Sequence, residues 1–269
     1  MNNARFVVIS GGNGGLGRAA VSAFAARGYT VFSLDINKSE TQMENVVEIE
    51  TDVTDSESVS RAFDIVRCKT DRISAIISLA GTYFMDSLIE VPEAELEHIF
   101  KVNVFGVYHL NRIFLPLVRA ENGRILVTTS ELAGMKALPF NGIYSLTKTA
   151  LEHYTDSLRQ ELALLGVPVI EIKPGAFDTG MIAASFSSLD RMAEKTKLYR
   201  ADAARFRRIM QIQSGTAKPP EKLAEILCHA VESKHPRLCY KPNNNLLLKL
   251  FNLCPRRLQV ALIKRLIKN

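Results

Sequence analysis

From Arg5 to Gly28 the chain sets three pieces end to end: a β-branched run (RFVVIS), a turn carrying Gly11, Gly12, Gly14, Gly15 and Gly17 around Asn13 and Leu16, and a helix-prone segment, Arg18 to Arg27. That succession turns a glycine pattern into an anion site. The glycines let the main chain approach a pyrophosphate, and the helix start offers unpaired N–H groups and a positive dipole end. Two spacings fit, Gly12-x-Gly14-x-x-Gly17 and Gly11-x-x-x-Gly15-x-Gly17. Next, Tyr29 to Leu34 reads as a second strand ending in Asp35. A carboxylate there accepts hydrogen bonds from adenosine ribose hydroxyls and repels a 2′-phosphate, so NAD is expected ahead of NADP. Arg18 and Lys38 are the nearby cations able to attract a phosphate instead.

The alternation continues. Val46 to Thr51 is a third strand ending in Asp52-Val53, followed by an amphipathic helix, Ser56 to Val66. Ala75 to Leu79 is a fourth, running into the small turn Ala80-Gly81; Arg124 to Thr129 is a fifth and Val167 to Ile172 a sixth, ending in Pro174-Gly175-Ala176-Phe177-Asp178-Thr179. Strands alternating with helices predict one α/β domain built on a doubly wound parallel sheet, with its ligand crevice at the strands' carboxyl ends. Pro92 to Leu117 reads as one long helix with Asn103 in its apolar middle. An asparagine there is a poor helix former and costly to bury unpaired. It either bends the helix and holds a water or packs between helices.

Tyr144 and Lys148, four residues apart after the fifth strand, leave one face of a predicted helix reaching about Leu165. A fixed ammonium favours a phenolate, so the pair is expected to lower the tyrosine pKa and make it an acid-base group for an alcohol or ketone oxygen.

Taken together, Ser10-Gly11-x-x-x-Gly15-Leu16-Gly17, Asp52-Val53, Ala80-Gly81, Asn103, Tyr144-x-x-x-Lys148 and Pro174-Gly175-x-x-x-Thr179 resemble the short-chain dehydrogenase/reductase family over about residues 4 to 240. The resemblance implies a Rossmann fold of about seven strands in the order 3-2-1-4-5-6-7, and hydride transfer between a nicotinamide and a carbonyl or alcohol carbon without a metal. It implies that Tyr144 donates and accepts the proton, that Lys148 lowers its pKa and holds the nicotinamide ribose, and that Asn103 anchors a water in the proton path. Gly11, Asn13, Gly14, Gly15, Leu16 and Gly17 would hold the phosphates, Asp35 the adenosine ribose, Asp52 and Val53 the adenine. Ala80, Gly81, Pro174, Gly175 and Phe177 would line the cofactor, and Thr179 would hold the carboxamide. Departures are Ser10 for a threonine, Gly14 for a phosphate-binding serine and Ser78-Leu79 for an Asn-Asn pair.

The larger departure is at the family's substrate-holding serine. Counting back from both Tyr144 and Gly134 reaches Glu131, and Ser130, one residue short, would face the other way on an extended chain. Glu131 can donate a hydrogen bond to a substrate oxygen if protonated, a state that burial favours and Lys148 opposes. If it is ionised, Ser130 or Thr129 takes the task after a local adjustment of the backbone, or Glu131 turns to solvent.

The region from Thr179 to Pro219 mixes Met181, Phe186, Met192, Phe206 and Met210 with basic groups, which predicts a lid at about 180–218 for a lipophilic substrate. A pair of surface helices is the alternative. Such a lid resembles those of hydroxysteroid and retinol dehydrogenases, making a hydroxysteroid the leading substrate and a 3-oxoacyl or small ketone the second. A protein that binds NAD(H) as a sensor without turnover is the reading from another class.

Of the net charge of +6, residues after Glu232 contribute +9 with no acidic residue, leaving −3 for the rest. Basic character confined to a tail is not the spread face of a nucleic-acid binder. The domain is therefore expected to occupy 1–245, followed by a basic amphipathic tail at 246–269, which lies on a membrane surface, covers the pocket or joins subunits. Four scattered cysteines and no C-x-x-C indicate neither a metal site nor disulfides. Without a leader or an apolar span, a cytoplasmic homodimer or homotetramer is expected.

Overall fold

A computed structural model describes residues 4–39, 43–135, 138–214 and 217–268. Seven parallel strands form one sheet in the order β3-β2-β1-β4-β5-β6-β7: Arg5–Ser10 (β1), Tyr29–Asp35 (β2), Val46–Glu50 (β3), Ala75–Ser78 (β4), Arg124–Thr128 (β5), Val169–Ile172 (β6) and Cys239–Tyr240 (β7). Between β1 and β4 the winding reverses, and the crevice opens there.

Strand residues alternate between two cores. Val8, Phe32, Ile76 and Ile125 face one way, against Gly106–Ala120 (α4), Ser56–Arg67 (α2) and Gly142–Ala163 (α5). Val7, Ile9, Val31 and Leu126 face the other, against Phe24 of Gly15–Ala26 (α1) and Leu227 of Glu221–Glu232 (α8). Each such side chain, fully buried, contributes roughly 1.5–3 kcal/mol relative to exposure. Apolar runs without polar alternation are what a parallel sheet covered on both faces requires.

The long helix expected over 92–117 is two helices, Glu93–Phe100 (α3) and α4, joined by a π-helical turn at Lys101–Phe105 that contains Asn103. The region after Thr179 forms two further helices, Gly180–Lys195 (α6) and Arg200–Ser214 (α7); Gly215 and Thr216 of the expected lid lie outside the described residues. The tail forms Leu246–Leu253 (α9) and Arg256–Lys268 (α10). Ile267 is buried with Met85, Leu189, Met192 and Phe206, so the tail packs on α6 and α7. Among the described residues no helix is long and apolar enough to cross a membrane.

Candidate active site

The turn between β1 and α1 closes on itself. A Cβ at Gly17 would stand 1.9 Å from the Gly11 carbonyl oxygen, so only glycine lets the helix start this close to the strand end. No side chain caps α1 at Gly14, which leaves its first N–H groups open toward the crevice, as a phosphate site requires. Asp35 stands at the end of β2, and its carboxylate accepts from Asn13 N at 3.0 Å and Asn37 N at 3.0 Å. It thus orders the glycine turn. Lys38 is paired with Glu50 at 3.3 Å.

Asp52 bonds its own turn, accepting from Thr54 N at 2.8 Å and Thr54 Oγ1 at 2.7 Å, and Val53 is buried against Gly106. Thr179 abuts Gly15, where an added Cβ would fall 2.8 Å from Thr179 Cβ. Leu16, Ala80, Gly81, Glu131, Tyr144, Lys148, Pro174, Gly175, Phe177 and Thr179 of the expected site line one cavity; Asn103 lies behind it. Gly11, Asn13, Gly14, Gly15, Gly17 and Asp35 border the crevice beyond that cavity.

Asn103 is fully buried and clamps three elements. Its Oδ1 accepts from Thr82 N at 2.8 Å, and its Nδ2 donates to Thr82 O at 2.9 Å and Thr147 Oγ1 at 3.1 Å. The amide thereby ties the segment after β4 to α5. Drawing the side chain to that segment widens the helix into a π turn, a device common at functional sites. These contacts are those of a buried hydrogen-bonding group that reshapes the helix; its Oδ1 and Lys148 Nζ both border Gly81, at 3.2 and 3.8 Å from an added Cβ.

Tyr144 and Lys148 both lie on α5, yet the phenol is raised where a lowering was expected. Lys148 Nζ donates to Thr128 O at 3.0 Å and sits 5.8 Å from the Tyr144 ring centre. Burial dominates instead: it pushes the Tyr144 phenol up to about 12 and pulls Lys148 down to about 8. At neutral pH the tyrosine is a protonated donor.

A second expectation is corrected at Ser130. Its hydroxyl stands near the Tyr144 phenol and opposes the rise in its pKa. β5 ends at Thr128, and Ser130 begins a turn, with Ala133 N on Ser130 O at 3.0 Å and Leu132 N on Ser130 Oγ at 3.2 Å. The alternation of an extended strand therefore no longer decides where Ser130 points.

Glu131, also at the cavity wall, turns its carboxylate to the tail: Oε2 accepts from Asn245 N at 2.6 Å, just before α9. Burial raises its pKa, against the Asn245 N–H and the Lys249 charge that lower it. A side chain at Gly175 would strike Asn243 O at 2.0 Å and crowd Glu131 Oε1 at 3.2 Å, so this glycine makes room for the latch.

Several neighbours of the pair carry no motif in the sequence. The Tyr83 ring lies 4.3 Å from that of Tyr144, and its hydroxyl donates to Asn141 Oδ1 at 2.7 Å. An aromatic just after Ala80-Gly81 and an asparagine just before α5 were the available signals. Asn245 and Leu248 close the cavity from the tail, and only the folding of the tail brings them there.

The short chain dehydrogenase model matches residues 5–190. A 3-ketodihydrosphingosine reductase of Bacteroides thetaiotaomicron is 25% identical over 86% of this chain and 85% of its own length. A 3-amino-tetrahydro-pyrrolizinone reductase of Xenorhabdus hominickii is 28% identical over 87% and 85%. The fold matches a 3-ketoacyl-(acyl-carrier-protein) reductase of Brucella melitensis complexed with NADH at a TM-score of 0.72, 19% identity, and 89% and 97% coverage. It also matches a short chain dehydrogenase of Burkholderia cenocepacia in complex with NADP at 0.71, 24% identity, and 98% of each chain. With the match spanning most of the chain and the parallel order 3-2-1-4-5-6-7 beneath it, the protein belongs to the short-chain dehydrogenase family of oxidoreductases.

Proposed function

We propose that the protein is an NAD-dependent reductase of a ketone on a lipophilic molecule, with Tyr144 giving the proton to the carbonyl oxygen. The observation that carries this reading is a protonated phenol, with Ser130 beside it, at the wall of a cavity that also has Leu138, Met181, Ile182, Phe186, Met210 and Leu248 in its lining. Ser130 holds the substrate oxygen beside the phenol, and the apolar walls exclude water and seat the rest of the molecule. Lys148, lowered by burial, is placed to return a proton toward Tyr144 across the Gly81 end of the cavity.

The residues fit a nicotinamide dinucleotide: the uncapped start of α1 for its phosphates, Asp35 for a ribose, and Gly81, Pro174, Gly175 and Thr179 at the cavity end. Bound there, the nicotinamide would supply the hydride that the ketone carbon takes. Asp35, together with Lys38 held by Glu50, supports NAD over NADP. Relatives described as reductases of keto compounds support the direction of reaction and favour a keto group on a long chain over a steroid. Exposed Phe105 and Tyr108 near and on α4, and Leu146 on α5, support assembly into a homodimer or homotetramer.

The test is turnover of long-chain 3-keto compounds, steroid ketones, retinoids and short 3-oxoacyl compounds with NADH and NADPH. NADH-dependent reduction is expected, lowered roughly 10²- to 10⁴-fold in Tyr144→Phe with cofactor binding kept. Tight NADH binding with no turnover of any ketone would instead make the protein a dinucleotide sensor.

A further inference from the structure

Of the twenty large hydrophobic side chains exposed among the described residues, eight fall between Leu246 and Leu266. On α9, Leu246, Leu250 and Leu253 recur at helical spacing, 67%, 52% and 79% exposed, with Leu247 beside them at 71%. α10 turns a different stripe inward: Gln259 and Ile267 are buried, and Gln259 Nε2 donates to Phe251 O at 2.6 Å, fixing the two helices to each other. That leaves Leu258, Leu262 and Leu266 at 47%, 37% and 62% exposure. By helical spacing these leucines share one apolar face with Ile263 and Ile267. The fold buries only part of it.

Lys249, Arg256, Arg257, Lys264, Arg265 and Lys268 share these two helices, all exposed, and no acidic residue follows Glu232. Among the described residues none of these cations is in a salt bridge, the pairs of the structure lying elsewhere on the domain. A surface combining leucines with a positive charge in no salt bridge, on helices of 8 and 13 residues, is built to lie on an anionic bilayer rather than to cross it. An interface between two copies of the same face would set like charges against each other.

We propose that α9 and α10 form a docking surface for an anionic lipid membrane, which places the substrate cavity beside the bilayer. The link to the cavity is short. Leu248, between two outward leucines on α9, lines the cavity wall, and Asn245 at the head of α9 is held by Glu131 next to the catalytic pair. A lipophilic ketone leaving the acyl region therefore meets α9 before it meets water. The inference rests on the lipophilic part of the proposed function, and lipid binding is read without turnover, so the two fail separately.

The experiment is flotation of the full chain with phosphatidylcholine vesicles, and with vesicles in which about a third of the lipid is phosphatidylglycerol, at low and high salt. Binding to the anionic vesicles, weakened by salt and weak on neutral ones, is expected. Lys264→Glu, Arg265→Glu and Lys268→Glu together should weaken it roughly a hundredfold or more. Leu247→Ser, Leu250→Ser and Leu253→Ser together should do so at unchanged salt dependence. Because the charge variant alters exposed positions only, an unchanged melting temperature shows that it folds. Absence of vesicle binding, or binding indifferent to both variants, overturns the proposal. So does sedimentation showing a dimer that the leucine variant dissociates without any lipid binding, which would give the face to a second copy.

Discussion

With the Tyr144 phenol pushed up to about 12 and Lys148 pulled down to about 8, the cavity holds a protonated acid beside an amine that titrates within an assay's range. Linkage gives this a sign. Unfolded, Lys148 keeps its proton to its ordinary value of 10.5; folded, it loses it near 8. Across that window the unfolded chain binds more protons, so Lys148 makes the folded protein gain stability as pH rises. The thiols of buried Cys228 and half-buried Cys239, raised from 9.0 to about 12, act in the opposite sense above pH 9, so the lysine's share is read as a difference between two proteins. Cofactor-free protein should gain stability relative to Lys148→Met between about pH 8 and 10, by denaturant melts. A constant difference across that range would mean the amine is not desolvated. The spacing of Tyr144 and Lys148 announced the pair, but not which physical effect rules it. Depth of burial is a property of the packed cavity, and four residues of helix carry no record of it. The same holds for Ser130: its place beside the phenol is decided by a turn that begins at that residue, whereas counting along the chain presumes a straight strand.

At the scale of elements, the strand and helix order follows from apolar runs, glycines and helical periodicity, and these were legible along most of the chain. The π turn was not. Helical periodicity extends through Asn103, and only its partners Thr82 and Thr147, 21 and 44 residues away, show why the helix must widen there. Asn103→Ala removes three hydrogen bonds and strands the Thr82 groups, so a loss of about 2–4 kcal/mol is expected from denaturant unfolding. A change below about 0.5 kcal/mol would deny the clamp. Glu131 acts at the same scale. It lies on the turn after β5 and fixes the head of α9, so Glu131→Ala should free the tail while Glu131→Gln, keeping an acceptor, largely holds it. Limited trypsin digestion reads this directly: cleavage after Lys249 should run several-fold faster in the alanine variant only. Equal rates in all three proteins would show that α9 is held without the carboxylate.

For the whole molecule, the parallel order and the reversal between β1 and β4 bring residues from Gly11 to Thr179 to one edge, although they are spread over more than half the chain. The glycine turn and the alternating elements made that much readable in advance. What pattern could not supply was the fourth side of the cavity, because a basic amphipathic segment has the same appearance whether it roofs a pocket, pairs with another chain or rests on lipid.

Asn245 and Leu248 carry a consequence for the order in which the molecule is made. The crevice beside the glycine turn is encoded before Gly180 and can assemble early in synthesis, but the closed cavity waits for residues made later. A shortened form ending before Asn245 would keep the glycine turn and lose the ceiling of the cavity, a vessel with its floor in place and its lid missing.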